Sequence, residues 1–336
     1  MPEILLVAAA CCAVMTGVLV RMLRPARRAE TVIRALATAA AAAATTVGVG
    51  VATGADTASY LLSSACATAP VSVLLSAAVE ASSPARRGAA WALSLVWGVV
   101  VFPLCTIVPP LVFRMCGASE CRVQDFGGGL AVIVSAAATV LLAVRAPSPA
   151  AHEGWTRFAL PVAVIWGATA VWLVSLEGVI DAYTPRILSA AVLAPAGGAV
   201  AWTLVDLLRR ADRHPAHSAA AGVLAGIVAI FPGAASISFP WTLAVGALAG
   251  AAAAVMYGWR RLARLGATTH WALVVLTATA IGYLAPAVSG DSIGFLFSGR
   301  ITALVPPLVA LVAVVALGVL ATVPIWATAA RGRSRP

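Results

Sequence analysis

Few side chains in this sequence can do chemistry, and almost all of them stand at the edges of apolar runs. His270 opens one run in Gly266-Ala-Thr-Thr-His270-Trp271-Ala. An imidazole there can hydrogen-bond a helix end, or it can accept from and donate to a small polar permeant. Asp125 opens another run in Asp125-Phe126-Gly127-Gly128-Gly129. A carboxylate there can cap its own helix or stabilise an arriving cation. Glu80 and Asp206 lie beside basic loops, where local ion pairing accounts for them, and His214 and His217 share a polar loop with Arg213. The six cysteines have no metal-ligand spacing. Cys11, Cys12, Cys66 and Cys105 read as small packing residues in apolar runs. Cys116 and Cys121 share one polar loop, where a disulfide is expected if that loop faces outside. No cofactor or metal is expected, and nothing here reads as an enzyme.

The elements that must position these residues are long and apolar. The 336-residue chain is 62% hydrophobic and 10% charged, against about a quarter charged in soluble domains. Roughly 20 apolar residues cross a bilayer core as helix. Eleven such runs are legible, near 4–20, 33–53, 58–79, 89–113, 125–144, 158–180, 187–208, 217–235, 239–257, 269–288 and 301–327. The expected fold is all-α and integral to the membrane. It forms one transmembrane domain over 1–336, with helices 1–5 about 4–144, helices 6–10 about 158–288, and helix 11 about 301–327. Five spans per half give the halves opposite orientation, the plan of two inverted repeats plus one extra helix.

The net charge is +10 and every basic residue is Arg. Eighteen of the 22 arginines fall after the odd-numbered spans or in the tail, and only Arg114, Arg122, Arg186 and Arg300 fall in the alternate gaps. That phase is the positive-inside pattern. It predicts an N-terminus outside and a C-terminus in the cytoplasm of a multi-pass inner-membrane protein, and it removes the case for nucleic-acid binding. Gly222-x-x-x-Gly226 and Gly246-x-x-x-Gly250 predict close helix contacts in consecutive spans.

Taken in order, three segments resemble the ammonium transporter family, which includes the Rhesus-type ammonia channels. Asp125-Phe-Gly-Gly-Gly129 resembles the family's Asp-Phe-Ala-Gly-Gly at the start of helix 5. Ala221-Gly-Val-Leu-Ala-Gly-Ile-Val-Ala-Ile-Phe-Pro232 and the following Phe239-to-Gly250 stretch resemble its helix 8–9 region. His270 with Gly282 twelve residues on resembles its helix 10 spacing.

The resemblance implies a homotrimer embedded in lipid, with one pore per subunit passing ammonium or ammonia. It maps the helix 10 pore histidine onto His270, and its helix 5 partner onto Ile133. The family's outer cage tryptophan maps onto Phe113. Its gating phenylalanines map onto Cys66 and Trp172, and its ammonium-binding serine onto Ser175 or Leu176. The scaffold is thus kept while the selectivity chemistry is changed. With isoleucine in place of one imidazole, no twin-histidine proton relay can run, so neutral ammonia is the expected permeant. Two alternatives stand beside this: transport of another small solute, and a non-conducting sensor or assembly partner. The tail is about ten residues, so coupling to a nitrogen-signalling regulator is not expected.

Overall fold

The computed structural model describes residues 2–23, 28–53, 58–82, 87–116, 123–143, 156–291 and 294–331. Among them the chain is helical from end to end. The order is α1 (Pro2–Leu23), α2 (Arg28–Thr53), α3 (Ala58–Cys66), α4 (Thr68–Ser82) and α5 (Arg87–Val96), which continues through a wide π-type turn (Trp97–Val101) into α6 (Phe102–Cys116). A second such turn (Leu130–Val134) leads into α7 (Ser135–Thr139), and the two together occupy the fifth apolar run. The second half holds α8 (Thr156–Glu177), α9 (Thr184–Leu208), α10 (Pro215–Ile230), α11 (Trp241–Tyr257), α12 (Arg260–Ala263) and α13 (Ala267–Ser289). The short α14 (Phe295–Ser298) and the long α15 (Val305–Arg331) complete the chain.

Eight of these helical stretches are long and apolar enough to cross a membrane. The fifth, eighth and ninth apolar runs hold shorter helices instead, at Leu130–Thr139, Pro215–Ile230 and Trp241–Tyr257. The protein is therefore a multi-pass membrane protein. Many large apolar side chains face outward, among them Leu36, Leu104, Val200, Leu248 and Val312. In water that surface would be unstable, and in hydrocarbon it costs nothing.

Lipid offers no hydrophobic drive between helices, so close packing must come from small residues. The two Gly-x-x-x-Gly motifs dock on one strip of α9. A Cβ at Gly222 would overlap the Gly198 carbonyl, and one at Gly226 the Ala194 carbonyl. From the other side, a Cβ at Gly246 would overlap Ala194 and one at Gly250 would overlap Gly198. One strip of α9 is thus clasped by α10 and α11 together. In the first half α2 and α4 are tied by charge. Arg34, 2% exposed, lies 3.4 Å from Glu80 and 3.9 Å from Glu30, with its guanidinium over the Trp91 ring. Glu80 is thus ion-paired, with a partner from α2 and not from the loop that follows it.

α13 joins the halves. It packs against the Leu130–Val134 turn, α7 and α10. α15 packs on α7, where Trp326 Nε1 donates to the Thr139 carbonyl at 2.7 Å.

Candidate functional site

Asp125 sits where the chain enters the fifth span. Its Oδ1 accepts from Gly129 N–H at 2.7 Å and its Oδ2 from Leu130 N–H at 3.1 Å. The Tyr283 hydroxyl, on α13, donates to the same Oδ1. The carboxylate therefore caps the helix start, where backbone donors have no partner of their own. The three glycines that follow each have a separate cause. A Cβ at Gly127 would lie 2.8 Å from the Phe231 ring, Gly128 takes φ +61°, and a Cβ at Gly129 would lie 2.9 Å from the Tyr283 hydroxyl. Only glycine permits such approaches and that backbone angle at low cost.

Phe231 closes this corner from the α10 side. Its carbonyl accepts from Gly127 N–H at 2.8 Å, and the Pro232 carbonyl accepts from Phe126 N–H at 3.2 Å. Its ring stands 5.4 Å from that of Trp172 on α8, tilted by 38°. Trp172 is fully buried, and its Nε1 reaches the Ser63 carbonyl of α3 at 3.4 Å. The third span is interrupted just beyond, at Ala67, and half-buried Cys66 ends α3. Five segments of the chain thus converge on one point: the entry to the fifth span, α3, α8, the end of α10, and α13.

Of the residues marked in the sequence, this corner gathers Asp125 and Trp172. Ser175 is buried next to it, with its hydroxyl donating to the Trp172 carbonyl at 2.7 Å, so its hydrogen is used within its own helix. Leu176 is buried as well. Phe113, near the end of α6, is 41% exposed and has no ring contact among the described residues. Phe231 and Tyr283 were missed by the sequence reading. The only signal for them was the Phe-Pro break after α10 and a lone tyrosine in an apolar run.

His270 stands at the opposite end of α13 from Tyr283. It lies in the first turn of α13, just after Gly266 at φ +106°. Two bonds fix the level of α13 against the fifth span: Tyr283 to Asp125 at one end, and Thr269 Oγ1 to the Leu141 carbonyl, 3.2 Å, at the other. Ile133 lies eight residues from both Asp125 and Leu141, between these two bonds along the fifth span. His270 adjoins Thr269 at the second of them.

His270 belongs to a different cluster. Its Nε2 lies 3.2 Å from the Met256 carbonyl, and its ring stacks on Tyr257 at 5.2 Å and 9°. The guanidinium of Arg213 covers the Tyr257 ring at 4.4 Å. Arg213 Nη1 donates to Asp206 at 2.9 Å, and Asp206 also accepts from Trp202 Nε1 at 3.1 Å and Ser218 at 2.7 Å. The ion pairing expected for Asp206 is present, and His217 stacks on Phe158 at 5.1 Å. The cysteine pair falls elsewhere: Cys121 and the side chain of Cys116 lie outside the described residues. Among the described residues, no group of three or more His, Cys, Asp or Glu is placed to hold a metal.

No family model matches this sequence and no curated protein does. Solved structures do. Candida albicans Mep2 superposes with a TM-score of 0.77 at 15% identity, over 96% of this chain and 83% of that one. Saccharomyces cerevisiae Mep2 gives 0.76 at 13% identity, over 96% and 86%. A structure described as a sensor Amt protein gives 0.72 at 14% identity, over 97% and 92%. The chain has the Mep2 fold. At these identities the likeness is one of architecture, and the side chains that line the Mep2-like bundle are this chain's own.

Proposed function

We propose that the protein passes ammonium or ammonia across a membrane, with ammonia crossing in neutral form through each subunit of a homotrimer. Support comes from the Mep2-like architecture together with the ordered motifs at Asp125, Ala221 and His270. The observation that carries the neutral form is the character of the level at Ile133. Its neighbours along the fifth span, Val132 and Val134, are both buried. Moving an ammonium-sized ion from water into such surroundings costs of order 20 kcal/mol in the idealised limit. Neutral ammonia needs only one or two hydrogen bonds and escapes that penalty. With isoleucine at this position and His270 engaged with the Met256 carbonyl and the Tyr257 ring, no imidazole takes a proton there. Asp125, already accepting three hydrogen bonds, acts in this reading as the cap that sets the shape of the entry.

The test is purified protein in liposomes loaded with a pH-sensitive dye. An ammonium pulse should alkalinise the lumen faster than in empty liposomes, with no current on a supported membrane. A robust ammonium-dependent current would overturn the neutral form. Absence of any ammonia-dependent pH change would leave the second reading, a non-conducting sensor. That reading draws on the close-packed aromatic pair Trp172–Phe231 and on the shared fold with a sensor Amt protein. A different small solute is the remaining alternative, motivated by the exchanged residues Cys66, Phe113, Trp172 and Ile133.

A further inference from the structure

We infer that Phe231 is the residue that closes the route at its Asp125 end, and that its ring sets which small solutes reach the level of Ile133. This rests on reading the bundle as a passage, and it moves closure to the end of α10, away from Cys66 and Trp172, onto which the resemblance maps the gating positions.

α10 stops where it meets the entry to the fifth span. Its last residue is Ile230, and Phe231 opens the turn that follows, so the backbone of Phe231 is free to bond outside its own helix. It does so with the entry to the fifth span, through the Phe231 and Pro232 carbonyls. These two bonds hold the α carbon of Phe231 directly against the glycine run. The ring then has one place to go. It lies on the bare α carbon of Gly127, with its Cβ against Gly129, and it is 6% exposed. Its remaining neighbour is the indole of Trp172. The glycines are small at just the point where the phenyl is large, so the ring lies between the glycine run and the Trp172 indole. Interiors packed at this density leave no room for a solute beside the ring.

A second observation indicates that something polar belongs here. The hydroxyls of Ser63 and Ser64 are buried at 1% and 2% exposure with no hydrogen-bond partner. They sit on α3, where the Ser63 carbonyl meets Trp172 Nε1. A buried hydroxyl without a partner costs about 1–3 kcal/mol. A small hydrogen-bonding molecule beside Ser63 would satisfy its hydroxyl. A closing ring with unmet hydroxyls close by is the arrangement of a shut entrance to a polar stop. Because the bonds to the fifth span come from the backbone, the phenyl can swing about its own side-chain torsions without breaking them.

The test reads access directly. Ile133→Cys, placed in a chain whose six native cysteines are replaced by alanine, puts a thiol one to two turns past the ring. Its labelling rate by a small water-soluble methanethiosulfonate in liposomes is compared with and without Phe231→Ala. The expected result is at least a tenfold faster reaction, with ammonia-dependent alkalinisation rising severalfold in parallel. Phe231→Leu retains most of the volume and guards against a failure to fold. It should give an intermediate rate, and Phe231→Trp no gain. Unchanged labelling in folded Phe231→Ala and Phe231→Leu proteins would overturn the inference, even if ammonia flux persists. Faster labelling with no ammonia-dependent pH change in any variant would support the closure and sink the ammonia reading instead.

Discussion

Asp125 illustrates how one residue can serve the fold where a site was expected. Its two carboxylate oxygens accept two backbone N–H groups and the Tyr283 hydroxyl. Asp125→Ala leaves the start of the fifth span without its cap and Tyr283 without its acceptor, which should cost about 1–3 kcal/mol. Asp125→Asn keeps an acceptor for the backbone and should recover a large part of it. Thermal unfolding in detergent measures both, and equal losses for the two variants would contradict the capping role. His270 is the second case. Since its ring is stacked on Tyr257 and its Nε2 lies on the Met256 carbonyl, Ile133→His alone should not create an ammonium-dependent current. His270→Ala should lower neutral flux only modestly. Supported-membrane electrophysiology checks the first, and a current from Ile133→His would mean that the two rings do communicate.

At the scale of elements, α9, α10 and α11 are held together by small residues. The strip Ala194–Gly198 on α9 meets glycines of α10 on one side and of α11 on the other. Gly198→Leu or Gly226→Leu drives a side chain into backbone carbonyls and should cost about 3 kcal/mol or prevent assembly. Gly48 on α2 and Gly167 on α8 offer the contrast, because a Cβ at either meets nothing within 4 Å. Replacing those by alanine should leave stability unchanged or raise it by up to about 1 kcal/mol. Melting curves of the four variants should therefore separate into two groups. The Gly-x-x-x-Gly spacing was legible in the sequence; that both motifs grip the same partner was not, since spacing along one helix carries no information about which helix it meets.

For the whole molecule, the arginine phase remains the basis for orientation. Arg86→Cys and Arg264→Cys should both react with thiol reagents from the cytoplasmic side, with the native cysteines removed. Labelling of either from outside would reverse the proposed orientation. Mass measurement of the purified protein in mild detergent should give three copies per particle. A monomer would remove the trimer implied by the resemblance.

Composition and periodicity were enough to determine the solvent, the helical class and the positions of the apolar segments, because a bilayer tolerates only backbones that satisfy themselves. They also located the cap of the fifth span, since Asp before a glycine run acts over a few residues of the same segment. What they could not determine is anything set by contact between distant segments. The pairing of Phe231 with Gly127, the bond from Tyr283 to Asp125, and the stack of His270 on Tyr257 each join residues brought close only by the packing of the bundle. The surroundings of His270 were not legible for the same reason. A motif spacing fixes a residue's place along its own helix, but its height against a neighbour depends on where that helix begins and which side chains lock it there.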